Sequence, residues 1–273
     1  MIGKILLSSV GLSLFIILPL SIKWQFPLGI SVRSSLFIGI FSGIVVSGIA
    51  KISGLKYVPS LILQLILILG IFAAFIAWKF NRNPERIPPE DKNCILSPAD
   101  GKVIYIKRFE NGSIPYSEKK GKGYSLLDFI QTDILPTEGY LIGVSQTFLD
   151  VHVNRSPIDG QVTFIRHIKG NFISLKREEA VVLNERALTV INNERFKVGV
   201  IQIASRLVRQ IVIDFREGQK VRRGERLGMI RFGSQVDLIL PNWPSIKIEA
   251  KPGDYVKAGS SVVARICRGP DAR

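Results

Sequence analysis

Long apolar runs dominate the first eighty residues of the chain. They lie at about 5–22, 36–50 and 58–78. The third run reaches the roughly 20 residues that a helix needs to cross ~30 Å of hydrocarbon. It ends in Trp78 and Lys79, an aromatic residue and a cation of the kind found at membrane interfaces. The pattern predicts a membrane anchor over residues 1–80.

The number of helices in this anchor depends on the first two runs. Lys4 before the first run would suit a signal peptide, but no small-x-small cleavage site follows. The middle run is short and rich in Gly and Ser, which fits either a closely packed spanning helix or half of a re-entrant pair. We therefore expect two or three helices.

The pattern changes after a proline-rich, charged stretch, NRNPERIPPED, which predicts a linker over residues 81–93. From Cys94 onward, short runs such as GKVIYIKRF, GQVTFIRHI and FKVGVIQIA alternate apolar and polar residues between Gly, Pro and Asp. This is the period of half-buried strands. We predict one mainly β domain over 94–273, a barrel-like sandwich with few short helices. The segment SEKKGKGYSLLDF is the least strand-like and predicts a loop with one helical turn.

Two pairs of internal echoes suggest quasi-repeated halves in this domain. SPADGKVIYI (97–106) matches SPIDGQVTFI (156–165), and in both Pro followed by Asp-Gly predicts a turn that leads into a strand. GQKVRRGERLGMI (218–230) matches GDYVKAGSSVVARI (253–266), a strand rhythm like that of lipoyl domains. No lysine stands where those domains attach their cofactor, so we interpret the rhythm as architecture.

The charge of the chain favours an anionic partner. Of 37 basic residues six lie in the first eighty, which hold no acidic residue, so the remainder carries 31 basic against 22 acidic groups. Such a surplus suits nucleic acid or an anionic membrane surface. The apolar runs decide for the membrane, and the dispersed basic residues argue against nucleic acid. The basic flank Lys79, Arg82 and Arg86 favours the cytoplasmic face of the plasma membrane.

Few residues are available for metal or redox chemistry. Two cysteines, Cys94 and Cys267, form no CxxC, which argues against a zinc module or a disulfide framework. Two histidines, His152 and His167, cannot supply a site with three histidine ligands. We predict no metal.

One polar segment is a candidate for catalysis. FLDVHVNRSP would place Asp150, His152 and Asn154 on one face of a strand, although a solvated strand face explains it equally well. By spacing alone, Asp100 is a turn residue like its echo Asp159. By the same reasoning Ser234 is a small residue at a strand irregularity.

Several motifs in order point further. NRNPER, SPADGKV, DVHVNRSPIDG, NER, QIAS, GERLGMIRFGS and GDYVKAGSSVVA resemble the phosphatidylserine decarboxylase family, above all its shorter bacterial and archaeal-type members, across residues 80–266. The resemblance implies self-cleavage between Gly233 and Ser234 into chains 1–233 and 234–273. Ser234 would become a covalent pyruvoyl group (pyruvate as cofactor), which takes the place of pyridoxal phosphate as an electron sink.

The resemblance also assigns roles to residues. It implies that Asp100 and His152 activate Ser234 and that His152 reprotonates the substrate carbon. Arg155 and Asn154 are expected to contact the substrate, with Arg155 on its phosphodiester. The implied reaction converts phosphatidylserine, or a closely related serine-headed phospholipid of the membrane, to phosphatidylethanolamine.

The sequence departs from the family pattern in a few places and leaves alternatives open. Gln235 stands where Arg or Thr usually follows the serine, and QIASRLV carries Ser205 and Arg206 where Gly and an apolar residue are usual. A catalytically silent lipid-binding relative of the same fold is one alternative, and a lipoyl-like adaptor is another. The sequence leaves open diacyl against archaeal ether lipid and the oligomeric state.

Overall fold

The computed structural model describes residues 1–24, 26–117, 122–175, 177, 179–205, 210–230 and 234–267, with side chains at all of these except 115–117, 122–124 and 234. Gly233 and Arg206, both named above, lie outside the described residues. The chain forms two compact units, residues 1–81 and 82–273, which are taken one at a time below.

The first unit consists of three helices, α1 (Ile2–Lys23), α2 (Leu28–Ser53) and α3 (Tyr57–Asn81). All three are long and apolar enough to cross a membrane. The second helix is longer than the apolar run 36–50 because residues 28–35 continue it, with one charge, Arg33. It ends at Gly54, whose φ of 67° is the left-handed conformation that glycine adopts readily.

Small residues bring the first two helices close together. A Cβ on Gly39 of α2 would lie 2.8 Å from the Cα of Val10 in α1. A buried amide joins the third helix to the first: the Gln64 side chain donates to the carbonyl of Ile5 (2.7 Å) and accepts from the hydroxyl of Ser8 (3.0 Å). Close backbone approach and interhelical hydrogen bonds are what hold helices together in lipid, so the three form one packed bundle.

The second unit is built on an antiparallel sheet, eight strands wide among the described residues, that curls into a half-barrel. Its spatial order is β11 (Lys220–Val221), β7 (Gly160–Ile168), β8 (Arg186–Asn192), β9 (Lys197–Ile203), β13 (Ser234–Pro241), β5 (Gly139–Gln146), β2 (Gly101–Phe109) and β15 (Tyr255–Val256).

Smaller elements complete this unit. One three-stranded sheet has the order β1 (Cys94–Leu96), β16 (Val262–Ile266), β14 (Ile246–Ile248), and a second has the order β10 (Ile211–Ile213), β12 (Arg226–Ile230), β6 (Val153–Arg155). A hairpin consists of β3 (Ser113–Ser117) and β4 (Lys122–Ser125), and two short helices are α4 (Leu126–Ile130) and α5 (Ala180–Leu183). The predicted fold class, a mainly β domain after a helical anchor, is confirmed. The second strand of the hairpin, β4, lies in the segment interpreted as a loop, and the helical turn expected there is α4.

The large sheet packs apolar side chains on both of its faces. Along β13, Val236, Leu238 and Leu240 belong to one core cluster, and Ile239 belongs to the other. This alternation places Gln235 and Asp237 on the face of Ile239. The strand is therefore buried on both sides, with β9 and β5 as its neighbours.

The two SPxDG motifs form the same turn. The Ser97 hydroxyl donates to the carbonyl of Ala99 and the Ser156 hydroxyl to that of Ile158, both at 2.7 Å. Each turn leads directly into a nine-residue strand, β2 or β7. The quasi-repeat seen in the sequence is therefore a repeat of structure.

The two glycine-rich motifs repeat as well, and each is tied to one SPxDG turn. The amide of Gly259 donates to the carbonyl of Ser97 (2.9 Å), and that of Gly224 to the carbonyl of Ser156 (2.8 Å). Both glycines have positive φ, 71° and 81°. The invariant spacing of the two motifs thus reflects a backbone conformation that other residues adopt only with strain.

Substitutions of two glycines in α2 test the helix packing. Gly39→Ala inserts a methyl group against the Val10 backbone, whereas Gly48→Ala points into open space. Because both gain the same helix propensity, we expect Gly48→Ala to be the more stable by about 1–3 kcal/mol. Thermal unfolding of the full chain in detergent, followed by circular dichroism, measures the difference. Equal melting temperatures would contradict the close α1–α2 contact.

Candidate active site

The start of β13 lies beside the polar segment 146–152. Ser234, the first residue of β13, pairs in register with Gln146 at the end of β5. Before the gap in the described residues, the amide of Ile230 donates to the carbonyl of His152 (3.3 Å). The described residues on both sides of Gly233 are therefore neighbours of this segment.

His152 is completely buried and held in one orientation. Its Nδ1 donates to the carbonyl of Asp150 at 2.9 Å, which leaves the lone pair on Nε2. Burial lowers the pKa of the imidazole to about 4, against the opposing effect of Asp150, and the charge of Arg82 lowers it further. At neutral pH this histidine is uncharged and able to accept a proton.

Asp150 lies in a turn and not in a strand, and its side chain holds the conformation of this segment. Its carboxylate accepts from the amide of Thr147 (2.6 Å) and from the hydroxyl of Tyr255. The prediction that Asp150, His152 and Asn154 share one strand face is wrong, because β6 begins only at residue 153. Burial, together with Asp150, raises the pKa of Tyr255, so the phenol keeps its proton.

Asp100 and its echo Asp159 make the same turn bond in different surroundings. Asp100 accepts from the amide of Ala258 (2.7 Å), and Asp159 accepts from the equivalent amide of Arg223 (2.9 Å). Asp159 is exposed, whereas Asp100 is buried and its second oxygen pairs with Arg86 at 2.7 Å. Burial raises the pKa of Asp100, and the Ala258 amide and Arg86 oppose this rise.

The comparison of the two aspartates separates two roles. The turn role inferred from spacing is real and common to both. Only Asp100 combines the turn role with burial and an ion pair. The negative charge of Asp150 also raises the pKa of Asp100. Among the described residues its carboxylate bonds to Arg86 and Ala258, neither of which is His152.

Asn154 is fully buried and joins three parts of the domain. Its Oδ1 accepts from the side-chain amide of Gln202 in β9 (2.8 Å), and its Nδ2 faces the carbonyl of Pro98 in the first SPxDG turn (3.5 Å). The side-chain amide of Gln146 similarly donates to the carbonyl of Val151 (2.9 Å). These amides fix the segment around His152 against the large sheet.

Arg155 holds the segment that precedes the β strands. Its guanidinium donates to the carbonyl of Gly224 (2.9 Å), to Oδ1 of Asn83 (2.7 Å) and to the carbonyl of Pro84 (3.0 Å). This stretch, predicted as part of a linker, is folded with the β-rich unit.

Arg82, Arg86 and Tyr255 also contact this site, although the sequence did not predict them as members of it. Arg82 donates to the carbonyl of Leu149, and Arg86 pairs with Asp100. Both arginines were visible in the NRNPER motif, but its prolines and charges had been interpreted as a linker. Tyr255 stands in a motif that had been interpreted only as architecture.

Comparison with known proteins identifies the family of the chain. Residues 72–264 match the profile of the phosphatidylserine decarboxylase family. A putative archaetidylserine decarboxylase proenzyme of Methanothermobacter thermautotrophicus is 42% identical over 70% of this chain and 81% of its own. The corresponding protein of Methanocaldococcus jannaschii is 40% identical over 68% and 87%. A phosphatidylserine decarboxylase proenzyme of Chlorobium limicola is 33% identical over 73% and 83%.

These matches mark the protein as a carboxy-lyase. More narrowly, the chain belongs to the phosphatidylserine decarboxylase family, as its motifs predicted.

The buried imidazole predicts a loss of stability in acid. Between the pKa of about 4 in the folded state and about 6.5 in the unfolded state, only the unfolded chain binds the proton. Stability should therefore fall as pH falls through this window, by on the order of 3 kcal/mol from this group. Thermal unfolding of a Ser234→Ala chain between pH 7 and pH 4 measures the loss.

Two variants show whether His152 is the source. His152→Gln should remove part of the acid loss, while His167→Gln, which changes an exposed histidine paired with Glu185, should not. An unchanged pH dependence in His152→Gln would contradict the assignment.

Proposed function

We propose that this chain is a proenzyme that cleaves itself between Gly233 and Ser234, and that the cleaved enzyme decarboxylates a serine-headed phospholipid. The relatives at 33–42% identity carry the names of phosphatidylserine and archaetidylserine decarboxylase proenzymes. The observation that carries the proposal is the buried, neutral His152 next to the described residues on both sides of the cleavage point.

The cleavage uses the chain's own groups. The Ser234 hydroxyl gives its proton to a base and attacks the carbonyl of Gly233, which turns the amide into an ester. Elimination then releases chain 1–233 as a carboxylate. Hydrolysis of the remaining dehydro residue yields ammonia and a pyruvoyl group on chain 234–273.

His152 is the proposed base, supported by its neutral state and its fixed Nδ1 proton. Asp100, which has a raised pKa and is tied to Arg86, is proposed to set the electrostatic environment of this step.

Residue 234 suits a pyruvoyl group because it begins a strand in the middle of the sheet, opposite Gln146. When formed, that group supplies an electrophilic carbonyl that accepts the electron pair of the breaking carboxyl bond. The chain's residues must exclude water and return a proton to the substrate carbon. His152 is proposed for this proton transfer, since its burial keeps water away and its orientation is fixed.

The substrate's phosphodiester calls for cations. We propose that Arg155 and Asn154 contribute to substrate binding. Their hydrogen bonds to other protein groups support a positioning role in that binding. Arg155 holds the segment that carries Arg82 and Arg86, whose charges act on His152 and Asp100. These arginines add positive charge where an anionic headgroup would approach.

The membrane is proposed as the place of action, on the cytoplasmic side. The three apolar helices support membrane association, and the basic flank after α3 supports the orientation. An anchored enzyme would meet its lipid substrate without extracting it from solution.

Cleavage is tested on the purified full chain. We expect a denaturing gel and intact mass to show chains 1–233 and 234–273, the second without a free amino terminus. Ser234→Ala should remain whole, because it lacks the attacking hydroxyl. A wild-type chain that stays whole at 30.4 kDa and leaves phosphatidylserine unchanged would favour the catalytically silent relative.

The repeated turns provide a matched pair for the role of Asp100. Asp100→Asn and Asp159→Asn alter the same turn bond, but only Asp100 is buried with Arg86. We expect Asp100→Asn to slow cleavage by roughly 10²–10⁴-fold, the range of proton-transfer effects, and Asp159→Asn to change it less than about threefold. The fraction cleaved against time after synthesis measures both. Equal effects would reduce Asp100 to a turn residue.

A further inference from the structure

A row of residues crosses three strands just behind the start of β13. Tyr105 of β2 lies opposite Gly143 of β5, which lies opposite Asp237 of β13. The Tyr105 hydroxyl donates to the carboxylate of Asp237 at 2.7 Å, so the phenol passes over β5. A Cβ on Gly143 would lie 2.5 Å from the ring. Glycine at 143 is what allows this contact.

Gln235 closes the row into a triangle. Its side-chain amide donates to the hydroxyl of Tyr105 (2.6 Å) and to the second carboxylate oxygen of Asp237 (2.7 Å). Gln235 and Asp237 are buried, and burial raises the pKa of Asp237 to about 6. The hydrogen bonds from Tyr105 and Gln235 oppose this rise in pKa, and so does the charge of Lys107, whose ammonium group lies 4.6 Å from the centre of the Tyr105 ring.

Burying polar side chains of this kind costs desolvation free energy, so a role other than stability is expected of them. Three polar side chains behind an apolar strand stabilise the fold no better than well-packed apolar residues would. Their distinguishing feature is their position, since Gln235 directly follows Ser234 and is held by two hydrogen bonds at the very start of the strand.

Cleavage would make this position critical. Before cleavage, β13 continues from the preceding chain; afterwards, residue 234 is a chain end, and chain ends fray unless they are tied down. The reacting group is attached to Gln235 through the next peptide bond, so movement of Gln235 would displace it. An error of about 1 Å in a reacting group can reduce the rate by about 10²-fold.

We propose that Tyr105, Asp237 and Gln235 form a clamp that holds the newly cut end of β13 in the sheet and so positions the reacting group. The inference rests on the proposed function. On this proposal Gln235 is a positioning residue, and its difference from the family pattern does not impair the enzyme. An arginine at this position would also carry N–H donors for the carboxylate of Asp237.

The test compares Gln235→Met and Tyr105→Phe with the wild type. We expect both variants to fold and to cleave, but kcat per cleaved chain to fall by 10- to 100-fold with a smaller change in KM. Amide hydrogen exchange at residues 235–238 should become faster in the cleaved variants. Gln235→Arg should recover most of the activity. Gln161→Met, which removes an exposed amide bonded to Gly218, is the control and should behave as wild type.

The uncut background separates a clamp from a general structural role. In Ser234→Ala chains, Tyr105→Phe should change exchange at 235–238 by less than about twofold, because the intact chain holds the strand. Cleaved variants with wild-type kcat, or equally faster exchange in cut and uncut chains, would overturn the clamp alone. A wild-type chain that never cleaves would overturn the proposed function together with the clamp.

Discussion

In each SPxDG turn the aspartate accepts a hydrogen bond from a backbone amide of the paired glycine-rich motif, namely the amide of the residue before its glycine. The arrangement of the β domain is built on this bond. It closes the turn, the serine hydroxyl bonds within it, and the glycine amide ties it to the other motif. Strands β2 and β7 leave these two turns and enter the large sheet on either side of β13. The repeat thus places a polar turn, which already carries a carboxylate, at the start of β2, two strands away from β13 in the sheet.

The two turns differ in burial and in charge. Asp159 faces water, whereas Asp100 is covered by a segment that carries Arg82 and Arg86. The same enclosure removes water from His152, whose pKa falls because desolvation outweighs the nearby acid. In the proposed function His152 takes part in more than one proton transfer, and its burial in the neutral form would prepare it to act as a base.

Much of the fold was predictable from local pattern, and the site was predictable only in part. Strict alternation gave β2 and β7 with their observed bounds, because half-buried strands impose a period of two. It failed at Asp150 and His152, which precede the strand that holds Asn154. The contacts of the segment 82–93 with Arg155 and Asp100 join residues far apart in the sequence, so local pattern could not predict them. Spacing alone also could not separate Asp100 from Asp159, because their difference lies in what covers them.

The clamp of Tyr105, Asp237 and Gln235 addresses the stability of β13 at the proposed cleavage point. In the proposed function the chain is cut at the bond that precedes β13, so this central strand would need contacts that do not pass through that bond. Backbone pairing with β5 and β9 supplies some of them, but the last pair of any strand opens most easily. The side-chain bond from Gln235 to Asp237 lies within β13, whereas the bond to Tyr105 reaches across the sheet to β2, and both would remain after the cut. Gly143 shows that this arrangement is built into the neighbouring strand, since a side chain there would exclude the Tyr105 ring.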